Sequence, residues 1–234
     1  MKKEAPVFTG TLRKHMITVP EVIQEVSGIN IFGKLIKSLV FTTDVAIVRN
    51  INANAVMAIY PFTPQPAISH AIIAAAEMPV FCGVGGGTTK GKRVINLARD
   101  AEFQGATGVV VNAPTPDETI YRLNEVVDIP IVVTVVSELT DIQARLDAGA
   151  SILNVSGAAK TPAIVAAIRE KFPDVPIIAT GGSTEESIRK TIDAGANAIT
   201  YTPPTSAQLF REMMVRYRLD CEAEHKEVHG KHDV

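Results

Sequence analysis

The 234-residue sequence predicts a closed (β/α)8 barrel. Two observations carry that expectation: a fourfold internal echo, and a steady alternation of short apolar runs with helical segments. The echo is seen in "ANAVMAIYPFTP" (53–64), "ATGVVVNAPTP" (106–116), "ASILNVSGAAKTP" (150–162) and "ANAITYTP" (196–203). Each opens on Ala, runs on as an apolar strand and ends in Thr-Pro. Thr followed by Pro suits a helix start, the hydroxyl capping and the proline sitting in the first turn. Gly105, Gly149 and Gly195 precede three of the four and suit left-handed helix C-caps.

In chain order the first strand is "LVFTTD" (39–44) and the second lies in 53–60. The third, fifth and seventh are led by proline: "PVFCGVGGG" (79–87), "PIVVTVVSE" (130–138) and "PIIATGGST" (176–184). The fourth, sixth and eighth are the remaining echo segments. Continuous apolar runs fit strands covered on both faces. Helical segments separate them, among them 117–127, 140–149, 162–172 and 185–195, with pairs such as Ile142–Leu146 and Ile188–Ile192 at i, i+4. Residues 16–37 are expected to add an N-terminal helix across the barrel's lower mouth, and 206–220 to be the eighth helix. The domain expectation is an extension over 1–15, one barrel over 16–220, and a charged flexible tail over 221–234.

Composition excludes several classes. Apolar residues make up 46% and charged residues 21%, enough for a sizeable core. A net charge of −2 argues against a broad nucleic-acid footprint. Apolar stretches fall short of the ~20 residues of a membrane span, and the N-terminus lacks the apolar core of a secretion signal. The two cysteines have no zinc spacing. The expected setting is cytoplasmic, with no nucleic-acid or membrane partner. The alanine-rich face around His70 suggests a homo-oligomer.

In such a barrel the chemistry sits at the C-terminal ends of the strands. The segment "FCGVGGGTTKGKR" (81–93) follows the third strand there. Counted from Gly86 it approaches a P-loop, but Arg93 stands where a Ser or Thr would hold the metal. An anion nest of exposed N–H groups from Gly85, Gly86, Gly87 and Thr88, with charge from Lys90, Lys92 or Arg93, fits better. The plainer reading is a tight turn into the next helix. Asn112 ends the fourth strand. Glu138, after the fifth, is the preferred acid–base group or else a helix-dipole partner. Lys160, beyond the sixth, reads as amine nucleophile, phosphate ligand or solvated lysine. Asp44 either orients a substrate hydroxyl or metal, or caps the first helix. Cys82 reads as buried and inert. The sequence itself calls for no cofactor; it holds no metal-binding motif, and divalent metal and flavin stay open.

"PIIATGGSTEESIRKTIDAGANAITYTPPT" (176–205) resembles the strand 7 to strand 8 segment of the phosphate-binding, aldolase-type TIM-barrel superfamily. The resemblance implies a phosphate held at Gly181 and Gly182 and after strand 8 at Thr202. The chain departs from that pattern at Pro203 and Pro204, which lack N–H donors. Ser183 and Glu186 have capping-box spacing. "GVGGGTTKGKRVINLARDAEFQGATGVVVNAP" (83–114) resembles the dihydrodipicolinate synthase and sialic-acid lyase group. That likeness implies a carboxylate at the glycine loop and a Schiff-base lysine in strand 6, where this chain has Asn154 and Ser156. The functional expectation is an enzyme for a small anionic, phosphorylated metabolite, of lyase or isomerase type. The alternatives are a hydrolase and a non-catalytic metabolite-sensing barrel.

Overall fold

The computed structural model describes residues 6–8, 10–11 and 16–229, with side chains through Ala223. Eight parallel strands close into a barrel: β3 (Ser38–Phe41), β4 (Ala55–Ala58), β5 (Val80–Gly85), β6 (Gly108–Val111), β7 (Ile131–Val135), β8 (Ile152–Val155), β9 (Ile177–Thr180) and β10 (Ala198–Tyr201). Each strand pairs with the next in sequence, and β10 pairs with β3. The predicted barrel is therefore observed. Its strands bury nearly every residue, because inward side chains meet one another and outward ones meet the helices.

Between the strands run α1 (Val45–Arg49), α2 (Pro66–Ala75), α3 (Lys92–Phe103), α4 (Asp117–Asn124), α5 (Ile142–Asp147), α6 (Thr161–Lys171) and α7 (Glu185–Asp193). Gly105, Gly149 and Gly195 have φ between 95° and 107°, the left-handed conformation expected where a helix hands over to a strand.

The N-terminal region differs from its expectation. Instead of a helix over 16–37 there is one 3-10 turn, Glu21–Glu25, and then a hairpin of β1 (Ile29–Ile31) and β2 (Lys34–Ile36). Gly28 and Gly33 adopt left-handed φ and break any helical path. Phe32 and Gly33, both left-handed, form a tight two-residue hairpin turn. Ile29, Ile31 and Ile36 join the barrel's inner core with Leu39, Met57, Phe81, Val110, Val132, Ile152 and Ile178. The hairpin thus plugs the lower mouth, and the Gly28 N–H donates to the Asn197 carbonyl just ahead of β10.

Residues 17–26 run along the outer layer from the segment ahead of β4 to α7. Ile17 bridges to Ile51, the Val19 N–H donates to Asn52 Oδ1 at 2.8 Å, and Glu25 pairs with Arg189 of α7 at 2.7 Å. Val19, Val22, Ile23 and Val26 are buried, and so are the outward-facing Val40 and Ile199. Pro203–Val234 forms a second compact unit. Its helix α8 (Ser206–His229) opens on Thr205, which accepts from the Gln208 N–H and donates its own N–H to Gln208 Oε1. The helix runs nine residues into the segment expected to be a flexible tail. Helix-forming charged residues such as Arg218 and Glu222, spaced i, i+4, favour the continuation. Residues 230–234 of that tail lie outside the described residues, as do most of the expected N-terminal extension over 1–15.

Candidate functional site

Side chains alternate along a strand, so the inner core fixes which residues face inward one step higher, toward the C-terminal mouth. The inward residues Leu39, Met57, Phe81, Val110, Val132, Ile152, Ile178 and Ala198 form a single cluster. Two residues further on, the next inner ring is Phe41, Ile59, Gly83, Asn112, Thr134, Asn154, Thr180 and Thr200. Three positions, on β3 to β5, are apolar or glycine. The other five, on consecutive strands from β6 to β10, are uniformly polar and uncharged.

A cavity of about 250 Å³ opens over the apolar part. Ile59, Tyr60, Phe62, Gly83, the loop Gly85–Thr89 and Asn112 contribute to its wall. Gly86 and Gly87 are both left-handed, with φ of 99° and 83°. The Gly86 N–H turns back to the Thr89 carbonyl and the Asn112 N–H donates to the Gly85 carbonyl. Among the described residues, the amides of Gly87 and Thr88 donate to no protein group. A Cβ on Gly86 would lie 2.6 Å from Asn112 Cβ and 2.8 Å from Thr115 Oγ1, whereas one on Gly87 would meet nothing. Gly86 is therefore required by close backbone approach, and Gly87 presents its backbone to the open side.

Helix α3 begins just beyond. Its N-cap is Gly91, with no side-chain cap, and its first turn carries Lys92 and Arg93 with no acidic residue. Cations at a helix N-terminus oppose the macrodipole, an arrangement that an anion would relieve. Lys90 is exposed beside the loop. Below the loop, Arg145 of α5 gathers the turn after β6. It donates to the Thr115 carbonyl at 2.5 Å, to Asp117 Oδ1 at 2.7 Å and to the Ala113 carbonyl at 3.1 Å. Asn112 and Thr115, which cradle Gly86, are fixed through it. The Tyr60 hydroxyl oxygen accepts the Gln65 N–H at 2.7 Å, leaving its own proton to be donated elsewhere.

The other expected site residues lie apart from this cavity. Asp44 caps α1, its Oδ1 accepting from the Ala46 and Ile47 N–H groups at 2.9 and 3.3 Å. Glu138 is exposed, in a groove of the outer layer with Ile142, Ile164, Lys171 and Phe172. Lys160 is exposed at the end of a 3-10 turn, Ala158–Lys160. Gly181 and Gly182 line a second cavity with Ala158, Thr180, Ser187 and Lys190. There the N-terminus of α7 satisfies itself. The capping box pairs Thr184 with Ser187, not Ser183 with Glu186 as the spacing suggested, because the helix starts one residue later. Glu185 and Glu186 occupy its first turn, and a hydrogen bond from Lys190 holds the Glu186 carboxyl below its ordinary range. Thr202 is exposed beyond β10.

Cys82 points outward from β5 and is buried. Desolvation pushes its thiol up to about 11, with a Ser69 hydrogen bond acting the other way, so it is no thiolate at neutral pH. Among the described residues, no cluster of three or more His, Cys, Asp or Glu is arranged to hold a metal, and no helix is long and apolar enough to cross a membrane.

Two inner-ring residues escaped the sequence reading, Thr134 and Thr200. No alternation in the sequence marks them; their inward direction follows from the structure, where each is two residues on from a core residue, Val132 or Ala198.

No family model and no curated protein matches the chain. Solved structures do. Phosphonopyruvate hydrolase aligns with a TM-score of 0.64 at 14% identity, over 87% of this chain and 93% of its own. An aldolase, QR15, aligns at 0.55 with 16% identity, over 78% and 95%. A mandelate oxidase variant carrying an FMN adduct aligns at 0.56 with 17% identity, over 77% and 69%. At these identities the likeness establishes the fold: the chain is an α/β barrel of the TIM type, built like these enzymes.

Proposed function

We propose that the barrel is a small-metabolite enzyme whose anionic substrate binds at the C-terminal mouth, with its phosphate or carboxylate on the Gly85–Thr89 loop. One observation carries this reading: Gly87 and Thr88, whose amides donate to no protein group among the described residues, line a cavity beside a helix start bearing only positive charge. Amides held by left-handed glycines form an anion nest without further reorganisation. The structural neighbours support the choice of ligand, since one is named for phosphonopyruvate and was also solved with oxalate and Mg2+. The loop is favoured over Gly181–Gly182 because acidic side chains guard the latter.

The reaction assigned is of lyase or isomerase type, with proton transfer beside a carbonyl. Tyr60 is the ionisable side chain on the cavity wall. Its O–H can donate to the carbonyl oxygen as enolate charge develops there, while the C–H proton passes to a water molecule in the open cavity. Glu138 and Lys160 stand too far round the barrel to share that cavity.

The test uses keto acids and keto phosphates in D2O, with the loss of C–H signals next to the carbonyl followed by NMR. The wild type is expected to exchange these protons. Tyr60→Phe should slow exchange by about a hundredfold, the scale of a general acid or base, while Glu138→Gln and Lys160→Met leave it unchanged. Binding without any exchange would favour a metabolite-sensing barrel instead. The uncharged inner ring is the specific observation behind that second reading.

A further inference from the structure

The polar part of the inner ring is unusual for a barrel interior, where bulky aliphatic residues normally fill each layer. Asn112, Thr134 and Asn154 stand in neighbouring register across β6, β7 and β8, and Thr180 and Thr200 are register partners across β9 and β10. Part of their bonding capacity is used internally. Asn154 Nδ2 donates to Thr134 Oγ1 at 3.3 Å, and Thr180 Oγ1 donates to Ser156 Oγ at 3.2 Å. Two atoms are left over: Asn154 Oδ1 and Thr200 Oγ1 have no hydrogen-bond partner among the described residues. Asn154 is 6% and Thr200 5% exposed. Buried polar atoms without partners are costly and uncommon in native proteins, so a retained pair points to a ligand.

We infer that this polar part is a second subsite, which receives the uncharged, hydroxyl-bearing part of the substrate. The inference rests on the reading that the substrate's anion sits on the glycine loop, and it adds the substrate class. Asn154 Oδ1 can only accept, so its natural partner is an O–H donor. Thr200 Oγ1 both accepts and donates. No Lys, Arg or His stands in the inner ring, so a second anionic group there would be buried without compensation. Asn112, at the wall of the loop cavity, leads through Thr134 to Asn154; Asn154 stands opposite Ile178, and Thr180 and Thr200 form a second pair one step further along their strands, so the polar groups come as two neighbouring sets to which separate hydroxyls can bond. The substrate class is a small molecule with one anionic end and hydroxyl groups along its body, such as a polyol phosphate or a polyhydroxy acid.

The experiment measures dissociation constants for glycerol 3-phosphate, ethyl phosphate and inorganic phosphate on the whole chain by calorimetry. It is repeated on Thr200→Val and Asn154→Leu. The wild type should bind glycerol 3-phosphate at least tenfold more tightly than ethyl phosphate. Each variant should shrink that preference at least fivefold while leaving ethyl phosphate affinity unchanged. Thr200→Val, close to isosteric and free of the unpartnered hydroxyl, should also melt no lower than the wild type. Equal affinity for the two phosphate esters, or a preference untouched by both variants, overturns the inference while leaving the anion loop standing. Failure of all three ligands to bind, together with failure of glycerate and propionate measured beside them, overturns both.

Discussion

Gly86 and Gly87 are neighbours with the same sign of φ, yet their environments predict different tolerance. Alanine at either must adopt a left-handed backbone, worth roughly 1 kcal/mol or somewhat more. At Gly86 the new methyl would also sit 2.6 Å from Asn112 Cβ and 2.8 Å from the Asn112 nitrogen, and neither can retreat while Arg145 holds the turn. Urea melts should show Gly87→Ala losing about 1 kcal/mol and Gly86→Ala losing at least about 3 kcal/mol. Cys82 gives a prediction in pH. Its thiol is raised from 9.0 to about 11 by burial, so the folded state favours the neutral form. That contribution is fully present below pH 9 and is lost as pH climbs toward 11, by about 3 kcal/mol. Cys82→Ala should flatten the stability curve over that window. At this scale the sequence was informative about backbone need and less so about direction. Gly86 and Gly87 could be read directly because glycine is the residue that readily adopts their left-handed backbone. Thr134 and Thr200 could not, because a strand buried on both faces shows no alternation to mark which side chains point in.

Among the elements, the segment over 17–26 contributes more than its single 3-10 turn suggests. Ile23 is fully buried in a 3-10 turn that packs against α7. Ile23→Ala should therefore cost about 2–5 kcal/mol. Leu35→Ala, on the hairpin but 53% exposed, should change stability by no more than about 0.5 kcal/mol. Chemical denaturation of the two variants decides the matter, and equal losses would contradict the covering role. The strands were legible because Thr-Pro and Gly punctuate them at fixed places. The N-terminal helix was misjudged because Val19, Val22, Ile23 and Val26 mimic helical spacing; the left-handed Gly28 and Gly33 instead bend the following residues into a plug.

For the whole molecule, the barrel unit through Thr202 already has its outer face between α7 and α1 covered by residues 17–26. A chain ending at Thr202 should keep cooperative unfolding and its far-UV helix and strand signature, whereas a chain starting at Asn30 should lose both. Circular dichroism melts of the two truncations test this, and a truncation at Thr202 that fails to fold would show the barrel to depend on the later residues. The repeated strand–turn–helix chemistry, written locally in Pro, Gly and Thr, was enough by itself to determine eight units and their closure, since each unit's apolar strand can be buried only against its neighbours. It also marked the glycine loop as a backbone feature. Only the tertiary structure decided which residues share a cavity. Closing the barrel sets the register between strands, and register gathers Asn112, Thr134, Asn154, Thr180 and Thr200 on one inner wall while leaving Glu138, Lys160 and Asp44 outside it. Side-chain direction there depends on how strands from distant parts of the chain align, and no local pattern encodes that.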